Sequence, residues 1–147
     1  YSNEFIQVLL ALWTQTEASF AGKYWSFENV VTSPKPSQKP HPPIVIGGNR
    51  APALRRVAQL GNGWHPLGLS PDAISERLSF IRDEAEASGR SMDAFPIQVR
   101  RDFDGVDSQL IEAYEAVGVT DLVLSCNTGD VTEIENVLGS FAETFIN

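Results

Sequence analysis

The sequence predicts an α/β fold in which about four strand–helix units follow a helix and a short hairpin. Three observations carry that reading. The β-branched run Ile44, Val45, Ile46 stops on Gly47 and Gly48, and a helical pattern follows at once. The same strand-then-helix alternation recurs to the C-terminus, which points to a parallel sheet wrapped by helices. A proline-rich stretch, TSPKPSQKPHPP, separates this region, 44–147, from the segment 1–43 before it.

Taken in order, SNEFIQVLLALWT (2–14) is rich in helix formers, and Phe5, Leu9, Leu12 and Trp13 can share an apolar face. In ASFAGKYWSFENV the aromatics flank Gly22 and Lys23 as the arms of a hairpin would, with Phe20, Tyr24, Trp25 and Phe27 in the arms. The prolines that follow forbid regular helix and favour an extended connector laid over the surface, where Lys35 and Lys39 read as solvated charges. From there the expected strands are Ile44–Gly47, Gly63–Pro66, Pro96–Arg100 and Leu122–Ser125. The first of them, apolar throughout, suits burial on both faces.

The helices between these strands have readable ends. APALRRVAQLG carries Pro52 in its first turn, Leu54, Val57 and Ala58 at helical spacing, and Gly61 as its stop. SPDAISERLSFIRDEAEASG opens on Ser70 as N-cap, with Pro71 and Asp72 behind it and Ile74, Leu78, Ile81 and Ala85 along one face. DSQLIEAYEAVG repeats Leu110, Ile111, Tyr114 and Val117 before Gly118. The last helix, DVTEIENVLGSFAETFI, sets Ile134, Val137, Leu138 and Phe141 on one side.

Composition narrows the function. At a net charge of -8 the chain is a poor general nucleic-acid binder, because phosphate-backbone binding leaves a basic face. The lone Cys126 cannot form an internal disulfide, and with His41 and His65 it gives no zinc spacing. No apolar run approaches the roughly 20 residues that span a bilayer, and Tyr1 to Thr14 lacks the basic start of a secretion signal, so the expected setting is cytoplasmic. Tyr1 in the place of an initiator, inside a helical pattern, suggests a piece of a longer chain or a processed product.

The clearest candidate site is the turn at Gly47 and Gly48. Glycines let another group approach the backbone N–H donors, and a helix N-terminus favours an anion beside them. With 147 residues the chain holds about four of the units of which a (β/α)₈ barrel needs eight in about 250 residues. Two architectures remain open on these grounds: a small open sheet sandwiched by helices, or half of a barrel.

The segments FAGKYWSFENV, PKPSQKPHPPIVIGGN, ALRRVAQLGNGWHP and SPDAISERL together resemble the C-terminal half of the luciferase-like flavin and deazaflavin oxidoreductases. That resemblance implies the C-terminal half of a (β/α)₈ TIM barrel and a cofactor, F420 by preference or FMN, held at the strand ends for hydride transfer or monooxygenation of a small-molecule substrate. It also implies a homodimer or association with a missing half-barrel. Gly47 and Gly48 match the family's glycine pair against the cofactor phosphate, with Asn49 and Arg50 beside it. Gly63, Trp64 and His65 match its DGW segment, with Asn62 in place of the usual acid. Gly48→Asp is then expected to weaken cofactor binding and leave the fold largely intact.

Other readings compete at each residue. Trp64 suits core packing as well as a cofactor, and His65 carries the ambiguity of any single histidine. Arg55, Arg56 and the Arg82–Gly89 patch read as solvated helix faces, and Cys126 as a buried thiol. Arg100 and Arg101 end a strand before the DFDG loop, and alternation sends one toward a strand-end pocket and the other toward the helices. No catalytic residue can be named from this sequence. Two other function classes fit the chain: a non-catalytic half-barrel assembly module, and a phosphate-ester binder on an open α/β sheet.

Overall fold

A computed structural model describes residues 1–92, 95–103 and 105–145. The chain divides into two compact units, Tyr1–Ile44 and Val45–Asn147.

In the first unit, α1 (Ser2–Thr14) precedes a hairpin of β1 (Ala18–Ala21) and β2 (Ser26–Val30), paired antiparallel with Phe20 opposite Phe27. Two expectations need correction here. The buried face of α1 is Ile6, Val8 and Ala11, whereas Phe5 is exposed. Tyr24 and Trp25 sit in the turn rather than the arms, because the Glu4 carboxylate accepts from their N–H groups at 2.7 and 2.9 Å. Burial pulls the Glu4 carboxyl upward, but the N–H groups of Trp25, Tyr24 and Lys23 outweigh it and hold it below its ordinary value. Lys35 is no free surface charge either. Its Nζ donates to the Leu12 and Gln15 carbonyls, both at 2.7 Å, and so closes the C-terminal end of α1, where a cation is favoured.

The second unit alternates as expected: β3 (Val45–Gly47), α2 (Ala51–Leu60), β4 (Gly63–His65), α3 (Pro71–Ala87), β5 (Gln98–Asp102), α4 (Ser108–Ala116), β6 (Asp121–Ser125) and α5 (Val131–Phe145). Ile146, the expected end of the last helix, lies outside the described residues. β5 begins and ends two residues later than the sequence pattern suggests, since Pro96 has no N–H to give a ladder. β3 pairs in parallel with β4, and β5 with β6. Parallel bridges at Trp64–Ile97 and Leu67–Arg100 join the two pairs, so each strand lies beside its predecessor. Among the described residues the arc does not close into a barrel.

Register and burial divide the sheet into two unlike faces. Ile46, Trp64, Val99, Leu122 and Leu124 share one face, on which Ile46, Trp64 and Val99 are buried. The helices cover that side: a Cβ on Gly61, at the end of α2, would meet Ile46 Cδ1 at 3.2 Å. The alternate positions Gly47, His65, Leu67, Arg100, Asp102 and Val123 form the other face, which is largely open. Burial on both faces, expected for β3, is therefore not what the sheet does.

Helix ends follow the sequence closely. Ser70 Oγ accepts from Ala73 N–H and Asp107 Oδ1 from Leu110 N–H, both N-cap bonds. Gly61 stops α2 by close packing, not by a left-handed turn: its φ is −79°, and a Cβ would lie 2.9 Å from the Val57 carbonyl. Arg90 completes that end, donating from Nη1 to Ala58 O at 2.6 Å and from Nη2 to Gly61 O at 2.8 Å.

Candidate functional site

The open face ends, at the C-terminal tips of the strands, in two adjoining features: the glycine turn after β3 and a cleft across β4, β5 and β6. The turn is built by its neighbours. Gly48 adopts φ +116°, a region that side chains avoid, and a Cβ there would meet Ala53 Cβ at 3.0 Å. Its N–H donates to His65 O at 3.3 Å, and its carbonyl accepts from Trp64 Nε1 at 2.8 Å. Trp64, fully buried, thus packs the core and braces the turn with one indole.

Asn49 fastens the same loop to the end of β4. Its Nδ2 donates to Leu67 O at 2.8 Å, and its Oδ1 accepts from Leu67 N–H at 3.1 Å. Arg77 on α3 reaches the Asn49 carbonyl at 3.3 Å. Arg50 is the extended N-cap of α2, exposed, with its carbonyl accepting from Ala53 and Leu54. Gly63 is buried, and a Cβ there would lie 3.0 Å from Pro96 O, so packing alone requires glycine.

Gly47 differs from its companions. It is exposed, and a Cβ on it would meet only His65 O, at 3.9 Å. The protein itself has no need of glycine there, while an incoming group would find the backbone bare. His65 is its partner across the ladder, half-buried on the same open face. The turn therefore brings Gly47, His65 and Arg50 to the rim, and keeps Gly48, Asn49, Gly63 and Trp64 as its frame. This placement corrects the proposed Gly48→Asp test: the backbone strain and the Ala53 contact make that change a folding lesion, so Gly47 is the position to alter.

The cleft has a volume of about 580 Å³ and is lined by Leu67, Gly68, Arg100, Arg101, Asp102 and Asn127. Both arginines reach its wall, but from different sides. Arg100 belongs to the open face and is exposed, whereas Arg101 follows the parity of buried Val99, and its positive charge offsets part of the upward push that burial gives the Tyr114 phenol of α4. Asp102 is drawn toward β6, accepting at Oδ1 from Ser125 Oγ at 2.6 Å and from Asn127 Nδ2 at 3.3 Å. Sequence reasoning missed this Asp102, Ser125, Asn127 group. Its only signal was polar residues at two successive strand ends. Asp104 of the DFDG loop lies outside the described residues.

Elsewhere the solvated reading of the helix faces needs adjustment: Arg56 is half-buried. Arg55 donates to Glu84 at 3.4 Å and so joins α2 to α3. Cys126 is half-buried beside a smaller cavity of about 210 Å³. Among the described residues no group of His, Cys, Asp and Glu could hold a metal ion, and no helix is long and apolar enough to cross a membrane.

A profile of the luciferase-like monooxygenases matches residues 1–103. An FMNH2-dependent dimethylsulfone monooxygenase of Pseudomonas putida is 34% identical over 91 residues, which is 62% of this chain and 25% of that protein. An uncharacterized protein of Mycobacterium tuberculosis is 31% identical over 121 residues, 82% of this chain and 41% of its own length. Among solved structures, an F420-dependent secondary alcohol dehydrogenase in complex with an F420-acetone adduct superposes with a TM-score of 0.79 at 12% identity, over 99% of this chain and 60% of that one. At that identity the likeness is one of fold. The chain spans less than half the length of these two relatives.

Proposed function

Because the chain belongs to the luciferase-like monooxygenase family, we propose that its four parallel strands are the C-terminal half of a (β/α)₈ barrel whose strand ends hold a flavin or deazaflavin. The observation that carries this reading is the sheet with consecutive strand order, one face under helices and the other bare. A doubly wound sheet would be covered on both faces and would reverse its strand order at a switch point. That difference disfavours the phosphate-ester binder on an open sheet.

Gly47 at the rim, with the N-terminus of α2 and the guanidinium of Arg50 beside it, suits the phosphate of such a cofactor. Asn49, Trp64 and Arg77 hold the turn in shape, and His65 flanks the seat on the open face. F420 is preferred to FMN. The bound cofactor would supply the redox chemistry, toward a small organic substrate, while these residues bind and orient it.

The test is a fluorescence titration of the purified chain with F420 and, separately, with FMN, repeated on Gly47→Asp. A carboxylate at this roomy position should weaken saturable binding of one cofactor at least about tenfold, at an unchanged unfolding midpoint. Equal affinity of variant and parent would remove Gly47 from the seat. A folded parent that binds neither cofactor would show that these residues do not suffice as a site.

A further inference from the structure

We propose that Trp64 is the positioning residue of the turn after β3: its indole N–H locks the Gly48–Asn49 peptide in the orientation that offers the Asn49 N–H, and not the Gly48 carbonyl, to the phosphate of a bound cofactor. The inference deepens the function proposed above and rests on it for the identity of the anion; the lock itself is argued from the turn.

The peptide after a glycine is cheap to rotate. Gly48, at φ +116°, has no Cβ to restrict the plane that joins it to Asn49. The two orientations of that plane are opposite in sign toward the open side: one presents an N–H, the other a carbonyl oxygen that repels an anion. Trp64 decides between them. Its Nε1–H donates to Gly48 O at 2.8 Å, from a fully buried residue on the face that the helices cover. A trans peptide sets its C=O and N–H on opposite sides, so the Asn49 N–H points away from that indole. Rotation of the peptide would strand the indole N–H in the core, which makes the lock stronger than an exposed hydrogen bond. Among the described residues the structure gives the Asn49 N–H no hydrogen-bond partner. The Asn49 side chain is committed to both backbone groups of Leu67, so the backbone N–H is the donor it leaves for a ligand. The strand beneath the ring is held independently: Trp64 N–H donates to Pro96 O at 3.0 Å, and Trp64 pairs with Ile46 in the ladder. A change confined to the indole nitrogen should free the peptide and keep the sheet.

The experiment removes the N–H and keeps a ring. Parent, Trp64→Phe and a chain with benzothienylalanine at this position, which puts sulfur where the indole has N–H, are titrated by fluorescence with FMN and with riboflavin. F420 and the same deazaflavin without its phosphate tail form a second pair. The parent should bind the phosphorylated member of one pair at least about tenfold more tightly. In the variants that preference should fall to about twofold or less, with affinity for the phosphate-free member the same within about twofold. A tryptophan that only supports the fold would weaken both members alike. That outcome, or a preference kept in a folded variant, would overturn the proposal and leave the seat standing. A parent with no preference for the phosphorylated member, or with no binding at all, would remove the seat and overturn the proposal with it. The benzothienyl ring fills the volume of the indole, so it decides the matter if Trp64→Phe does not fold.

Discussion

The two halves of the strand–helix unit carry similar sequence patterns and very different interiors. Around β3 and β4, α2 buries Leu54, Val57 and Ala58, and α3 buries Ile74, Leu78, Ile81 and Ala85. Around β5 and β6, α4 buries Tyr114 alone, and α5, with Ile134, Val137, Leu138 and Phe141 spaced like a core face, has no buried residue. The lesson is that helical spacing states which side of a helix would face a core, not whether anything lies there to receive it. The glycine turn rests on the first half and the arginine cleft spans both, so the rigidity of the two sites should differ.

The sharpest way to break this comparison is to cut both halves equally. Trp64→Ala removes a fully buried indole and the bond to Gly48 O, and should cost about 3–5 kcal/mol by denaturant unfolding. Leu138→Ala, at a side chain 52% exposed, should stay within about 0.5 kcal/mol. Comparable losses at the two sites would mean that α5 is packed after all. A smaller effect is expected at Arg90, whose guanidinium closes α2 from the end of α3. Arg90→Met keeps most of the stem but leaves the Ala58 and Gly61 carbonyls to water, at a cost of about 1–2 kcal/mol by the same measurement. No change would show that apolar packing alone holds the first half.

The sequence made the first half legible because local rules suffice there: Ser70 caps, Pro71 starts, and Ile74 to Ala85 repeat toward one core. The structural roles of Arg90, Lys35 and Asn49 stayed hidden for one physical reason. Each ends on backbone carbonyls or N–H groups distant in sequence, and a carbonyl leaves no mark on residue type. The site was legible in part. The Gly47 and Gly48 turn could be read, yet the roles divided only when burial separated the glycine the fold requires from the one it does not. Alternation posed the choice between Arg100 and Arg101, but strand register was needed to decide which faced outward.

Tyr114 is where the two halves meet, and it gives the smallest and most specific effect. It is the one buried residue of α4, and its hydroxyl donates to Leu69 O, in the loop between β4 and α3, at 2.7 Å. Tyr114→Phe keeps the ring and strands that carbonyl, so the loss should be about 0.5–1.5 kcal/mol at neutral pH. Burial pushes the phenol above its ordinary value of 10.0, with the Arg101 guanidinium pulling partly back. A group whose pKa is raised on folding gives its full contribution below the unfolded value and loses it as pH rises through the folded one. Parent and Tyr114→Phe should therefore differ by a constant amount up to about pH 10 and converge on its alkaline side. A gap that persists into strong alkali would mean that the ring, rather than the hydroxyl, joins α4 to the first half. The loosely covered strands would then be held to the tightly packed ones by apolar contact alone.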